Sequence, residues 1–212
     1  MAKLGQNKKN KNVPRLATSY VVKVAFMSAL LTALKFALSF IPNVEVVTVL
    51  ICVYASVFGI AYALPATLIF CAVEVAIYGV GSWVLLYFVY WPMLAVCASL
   101  LLKGGRPLRA ILFGALGTFV FGLLSACCDT LFCIGYFSSA DLAKYWVAYF
   151  MRGLPFLGIH VASNIVVFSL LYTPMTSVCK RVFKTYCRRR ALPRRLRNLD
   201  CEYVMERKDF AD

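Results

Sequence analysis

Six long runs of predominantly apolar residues follow one another along this chain, at roughly 19–41, 46–63, 65–81, 84–102, 110–135 and 154–178. No other feature constrains the fold as strongly. Crossing the hydrocarbon of a bilayer takes about 20 apolar residues in a helix, and only helices or closed barrels satisfy their backbone there. With 62% of its 212 residues hydrophobic, the chain is too apolar for a soluble globule of its size. The expected fold is therefore all-α, a polytopic membrane protein of six transmembrane helices. It divides into a basic segment over 1–18, a membrane domain over 19–179 and a basic tail over 180–212. The first run is too long for a secretory signal and lacks a clear small-residue cleavage site, so it reads as a membrane helix.

The net charge of +14 invites a nucleic-acid reading, but its distribution argues against one. Lys3, Lys8, Lys9, Lys11, Arg15 and Lys23 precede or open the first run. Lys103, Arg106 and Arg109 stand between the fourth and fifth, and the residues after the sixth include Arg188, Arg189, Arg190, Arg194, Arg195 and Arg197. With six crossings all three clusters fall on one side, which the positive-inside rule makes the cytoplasm. Both termini are expected there. The basic tail then reads as an orienting and anionic-lipid-binding element, with no nucleic-acid partner.

Cysteine chemistry is not prominent. Cys52, Cys71, Cys97, Cys127, Cys128 and Cys133 lie inside the runs, where a thiol behaves as a small apolar group. Cys179, Cys187 and Cys201 fall on the expected cytoplasmic side, where thiols stay reduced. There is no C-x-x-C pair, and a single histidine, His160, does not make a metal site. No metal or cofactor is expected.

Two features of the first run stand out. Ala25, Ala29, Ala33 and Ala37 recur every fourth residue, with Ser28 and Thr32 beside them. Positions four apart share a helix face, and small residues let helices approach closely in lipid. Such a face packs either against the protein's own helices or against another membrane protein, and spacing leaves both open. The second feature is charge. Lys35 falls in the outer half of the run, with Asn43 and Glu45 at its outer mouth.

The same depth recurs elsewhere. Alternating topology places Glu74 and Tyr78 in the outer half of the third span and Tyr87, Tyr90 and Trp91 near the outer end of the fourth. Asp129 comes near the top of the fifth, and Arg152, His160 and Asn164 descend from the mouth of the sixth. Ionisable groups inside a membrane are costly and face a cavity or one another. Taken singly, each of these residues reads equally well as a bundle-holding pair or part of an interfacial aromatic belt. Taken together on one side, they point to an outward-facing pocket. Its expected binding residues are Asn43, Glu45, Glu74, Tyr87, Tyr90, Trp91, Asp129, His160 and Asn164. Aromatic walls with a few charged and amide groups suit a planar, water-soluble, vitamin-sized ligand.

The chain carries no G-x-x-x-x-G-K-[ST] loop for ATP and no G-x-S-x-G or H-E-x-x-H. It is not expected to be an enzyme. Nor does it show the repeated broken helices common in secondary transporters. A pocket without an engine needs a partner.

The stretch "ALLTALKFALSFIPNVEVVTVLICVYASVFG" (29–59) resembles the start of the substrate-binding S components of energy-coupling factor (ECF) transporters. So do "YFVYWPMLAVCASLL" (87–101), "FGALGTFVFGLLSACCD" (113–129) and "GLPFLGIHVASNIVVFSLLYTPM" (153–175). The similarity covers about residues 20–180, in order and spacing more than in any single motif. It implies that Ala25, Ala29, Ala33 and Ala37 contact a transmembrane T component and that the loop "IPNVE" roofs or rims the substrate site. It further implies two separate ATPase subunits, toppling of the chain to release its load inward, a B vitamin or similar micronutrient as substrate, and a bacterial or archaeal plasma membrane. Many S components continue the "PF" of the last helix with asparagine and, three residues later, lysine; here Leu157 and His160 follow Pro155 and Phe156. An ATPase-independent secondary transporter and a membrane scaffold without transport are the alternative readings.

Overall fold

A computed structural model describes residues 13–133 and 138–189, with side chains over 18–133, at 138 and over 141–184. The basic segment ahead of Val13, most of the tail, Cys187 and Cys201 lie outside the described side chains. Among the described residues the fold is entirely helical: α1 (Val13–Leu38), α2 (Val47–Val57), α3 (Ile60–Tyr78), α4 (Ser82–Leu101), α5 (Pro107–Leu131) and α6 (Ser139–Arg189). Five of them are long and apolar enough to cross a membrane; α2 is not.

The six-helix layout is as expected, with one helix shorter than its apolar run. The run at 46–63 is broken at Phe58–Gly59, because Gly59 adopts φ 79° as it starts α3, a conformation that side-chain-bearing residues rarely take. The remaining 11 residues of α2 rise only about 16 Å, half of a bilayer's apolar thickness. Every one of them is buried. The second helix is the axis of the bundle, packed against α3, α4 and α6 with lighter contact to α1 and α5.

Neighbouring contacts fix the directions. Tyr20 Oη donates to the Ala61 carbonyl at 2.7 Å near the starts of α1 and α3, and Lys35 meets Glu74 near their ends, so these two helices are parallel. Phe70 and Trp91 (6.2 Å between ring centres), with Cys71 Sγ 3.5 Å from the Tyr87 carbonyl, set α4 antiparallel to α3. Close approach of α5 and α6 rests on glycine. A methyl group on Gly114 would stand 2.5 Å from the Phe168 ring, and one on Gly122 2.7 Å from Leu157. In lipid this backbone-to-side-chain fit replaces the hydrophobic drive of a soluble core.

One end of the bundle gathers the basic residues. Lys23 Nζ lies 5.3 Å from the centre of the Phe183 ring, and the position of a Gly105 Cβ is 3.6 Å from Lys180 Nζ. The start of α1, the α4–α5 turn and the last part of α6 therefore meet at what we term the basic end, as six alternating passes require. Glu45, Glu74, Asp129 and Asp141, the acidic residues with described side chains, all lie toward the other half, the far end. Between the ends the surface is apolar, with Phe26, Ile69, Leu112, Leu116, Phe119, Val166 and Leu170 among many large exposed side chains. An apolar surface of this extent belongs in lipid. Inside it, hydroxyls close onto their own helix, as Thr67 does to Ala63 and Ser169 to Ile165, both at 2.7 Å.

Candidate functional site

The segment between α1 and α2 builds the site. Pro42, lacking an N–H, cannot continue α1, and Asn43 takes φ 60°, a left-handed conformation that asparagine tolerates better than most residues. The chain thereby turns back into the bundle, and Ser163 Oγ on α6 donates to the Asn43 carbonyl and fastens the turn. Two residues on, Glu45 sits just ahead of α2. Its Oε2 accepts the Thr48 N–H at 2.9 Å, and its Oε1 accepts the Thr48 hydroxyl. A helix beginning inside the membrane has backbone N–H groups with no water to meet them. Glu45 meets one of them and sets a negative charge against the positive end of the helix dipole.

This overturns the placement of Glu45 at the mouth. The carboxylate is reached by Asn164, which lies 12 residues below Arg152 along α6, about 18 Å in helix rise. Asn164 Nδ2 donates to Glu45 Oε1 at 3.1 Å and to Thr118 Oγ1 at 2.7 Å, and Thr118 passes its own proton to the Gly114 carbonyl at 2.8 Å. Because a carboxylate only accepts, this contact fixes which atom of the amide is nitrogen. Asn164 Oδ1 is left buried without a partner among the described residues. His160 Nε2 stands 3.8 Å from Glu45 Oε1 and is likewise buried without a hydrogen bond.

Above this group lies a cavity of about 330 Å³, bounded by Asn43, by Phe121, Ser125 and Ala126 of α5, and by Tyr149, Phe150, Arg152, Phe156 and His160 of α6. It occupies the far half of the bundle. Its size falls at the lower end of the range for small-molecule sites. An aromatic chain joins it to α4: Tyr90 packs on Trp91 at 4.8 Å and on Phe121 at 4.9 Å, and Phe121 meets the His160 ring edge-on at 6.0 Å. Asp129 stays outside the lining, accepting from Tyr149 Oη at 2.7 Å and lying 3.5 Å from Ser125 Oγ at the rim.

The structure therefore sorts the expected site residues into groups. Asn43 and His160 line the cavity, Glu45 and Asn164 lie beneath it, Tyr90 and Trp91 back it, and Asp129 braces its rim. Glu74 and Tyr87 do not line it. Glu74 is 1% exposed and ion-paired to Lys35, whose ammonium also lies 5.0 Å from the ring centres of both Tyr78 and Tyr87. Tyr87 packs between Trp83 and Trp91. Sequence reasoning missed Phe121, Ser125, Tyr149, Phe156, Thr48 and Thr118. One signal was present: Arg152, Phe156, His160 and Asn164 are four apart and form a single face of α6.

On α1, Ala25, Ala29, Ala33 and Ala37 are all exposed, while Ser28 beside them is buried. Among the described residues no helix covers this face. With Ile69, Val73 and Ile77 of α3 it borders an open groove of about 480 Å³. Among the described residues no three His, Cys, Asp or Glu side chains converge as a metal site. Comparison with protein-family models, with curated proteins and with solved structures finds no significant match to this chain.

Proposed function

We propose that this chain is the substrate-capture component of an ECF-type ATP-driven importer, taking a vitamin-sized molecule into the far-half cavity from outside the cell. The observation that carries the reading is the bare alanine face of α1. A stripe of Ala25, Ala29, Ala33 and Ala37 lowers the cost of close helix approach, yet among the described residues the stripe is uncovered. A transmembrane partner is the occupant for which such a face is suited. The cavity supplies the cargo site, and the positive-inside rule sets the basic end in the cytoplasm, so the cavity half faces outward. With no phosphate-binding loop of its own, the chain relies on separate ATPase subunits for energy.

The test is purification of the full chain from its native membrane in mild detergent. The proposal expects a transmembrane T component and two ATPase subunits to accompany it, and uptake of the cargo to require ATP. A chain that purifies alone and still supports uptake independent of ATP contradicts it and favours a secondary transporter.

A further inference from the structure

We infer that the cavity selects a planar ring compound carrying an anionic group, with the anion held by Arg152 and the ring among the aromatic side chains. The inference rests on the proposed capture role only in using the same cavity, and it adds the sign of the ligand's charge.

Among the described residues the lining contains two basic side chains, Arg152 and His160, and no carboxylate. Two carboxylates lie close by, but each is turned to other partners. Asp129 accepts from Tyr149, and Glu45 accepts from Thr48 and Asn164. The other cations of the far half are also committed: Lys35 is paired with Glu74 and Lys144 with Asp141 at 3.2 Å. Among the described residues, Arg152 is the far-half cation with no ion pair. A guanidinium at the mouth of a cavity walled by low-dielectric groups attracts an anion more strongly than the same group in bulk water. Its forked donors match a carboxylate with two parallel hydrogen bonds.

The rest of the lining favours a flat ring. Phe121, Phe150, Phe156 and Tyr149 present aromatic faces and edges, suited to offset or edge-on ring contacts. On α6, Arg152, Phe156 and His160 follow one another at four-residue spacing, an arrangement about 12 Å long in helix rise. That places charge, ring and imidazole in order from mouth to base. At the base, His160 Nε2 is buried, 3.8 Å from Glu45 Oε1 and without a hydrogen bond among the described residues; reoriented as a donor it would meet a carbonyl or ring nitrogen at the ligand's inner end. A cationic ligand would have to sit against Arg152 with no free carboxylate to offset it.

The experiment uses the purified full chain, without partners, and three matched probe pairs: the carboxylate and the neutral carboxamide of pyridine, indole and pteridine. Binding is followed by calorimetry and thermal shift. At least one carboxylate is expected to bind, and its amide to bind about tenfold more weakly or worse, the scale of one charge-assisted pair. Arg152→Gln should abolish that preference while leaving the melting temperature unchanged, since Arg152 is exposed and makes no ion pair among the described residues. Arg181→Gln, at the basic end, should leave the preference intact and so exclude a general effect of the chain's positive charge. Amides binding as tightly as acids in every pair, no carboxylate binding at all, or a preference that survives Arg152→Gln would each overturn the inference. Neutral rings that bind in the cavity leave the capture reading standing while the anion assignment falls. Anions that bind by Arg152 in a chain that supports no ATP-driven uptake do the reverse.

Discussion

The two carboxylates set within the bundle, buried Glu74 and half-buried Glu45, solve the same physical problem in different ways. Glu74 on α3 is met by a lysine from α1, and three rings close around that ammonium. The pair is complete, and neither residue lines the far-half cavity. Glu45 is met by neutral donors, the Thr48 N–H and hydroxyl and the Asn164 amide, with His160 standing off at 3.8 Å. One partner lines the cavity, and another keeps an unbonded oxygen. An intramembrane charge neutralised within a pair acts as a fastener between helices. A charge spread over a polar group that borders a cavity also holds helices, and this one joins three elements at once: α2, α5 and α6.

The largest expected effect comes from disrupting the Lys35–Glu74 pair. Lys35→Ala leaves Glu74 buried without a counter-charge and should destabilise the bundle by about 3–5 kcal/mol, read as a lowered melting temperature in detergent. Lys35→Met with Glu74→Met should recover most of that loss. Ligand affinity of the surviving folded fraction should not change. A specific affinity loss would place Glu74 in the binding site after all.

Next in size is Glu45→Ala, which strips the start of α2 and leaves Asn164 short of an acceptor. A loss of about 1.5–3 kcal/mol is expected, the range for hydrogen bonds to a charged group. Unlike the Lys35 variant, it should also weaken ligand binding, because His160 loses its neighbour. Stability loss with unchanged affinity would make Glu45 a cap and nothing more. Thr118→Val, one bond further from the cavity, should cost about 1 kcal/mol by leaving one Asn164 proton unpaired. Smallest is Tyr149→Phe. It frees Asp129 at the rim and should change stability by well under about 1 kcal/mol at this exposed position; if Asp129 then turns toward the cavity, binding of an anion weakens.

Much of this arrangement was legible in the residues. Six alternating passes and a common basic end follow from apolar runs and from lysine and arginine placement, because bilayer thickness and the positive-inside rule act on composition alone. Lys35 and Glu74 were visible as costly groups at matching depth, with mutual pairing open as one reading. The depth of Glu45 was not visible. Proline at 42 and a left-handed Asn43 say that the chain turns, but how far it re-enters the bundle depends on α2 being short. That depends in turn on Gly59 starting a new helix inside an apolar run. Periodicity gives no warning of such a break, since α2 is buried on all sides. Phe121 and Phe156 were missed for a related reason: in a chain this rich in phenylalanine, a ring facing a cavity and a ring facing lipid have the same local sequence.

In the proposed function, capture in the cavity is separate from delivery through the bare face of α1. Ala29→Trp fills that face without touching the cavity lining. The decisive measurement takes this one variant through two readouts, ligand affinity of the purified chain and ATP-dependent uptake in the native membrane. Affinity and melting temperature are expected to stay within error of the unaltered chain, with uptake reduced to background and the T component no longer co-purifying. Undiminished uptake, or a fall in affinity that matches the fall in uptake, would contradict it.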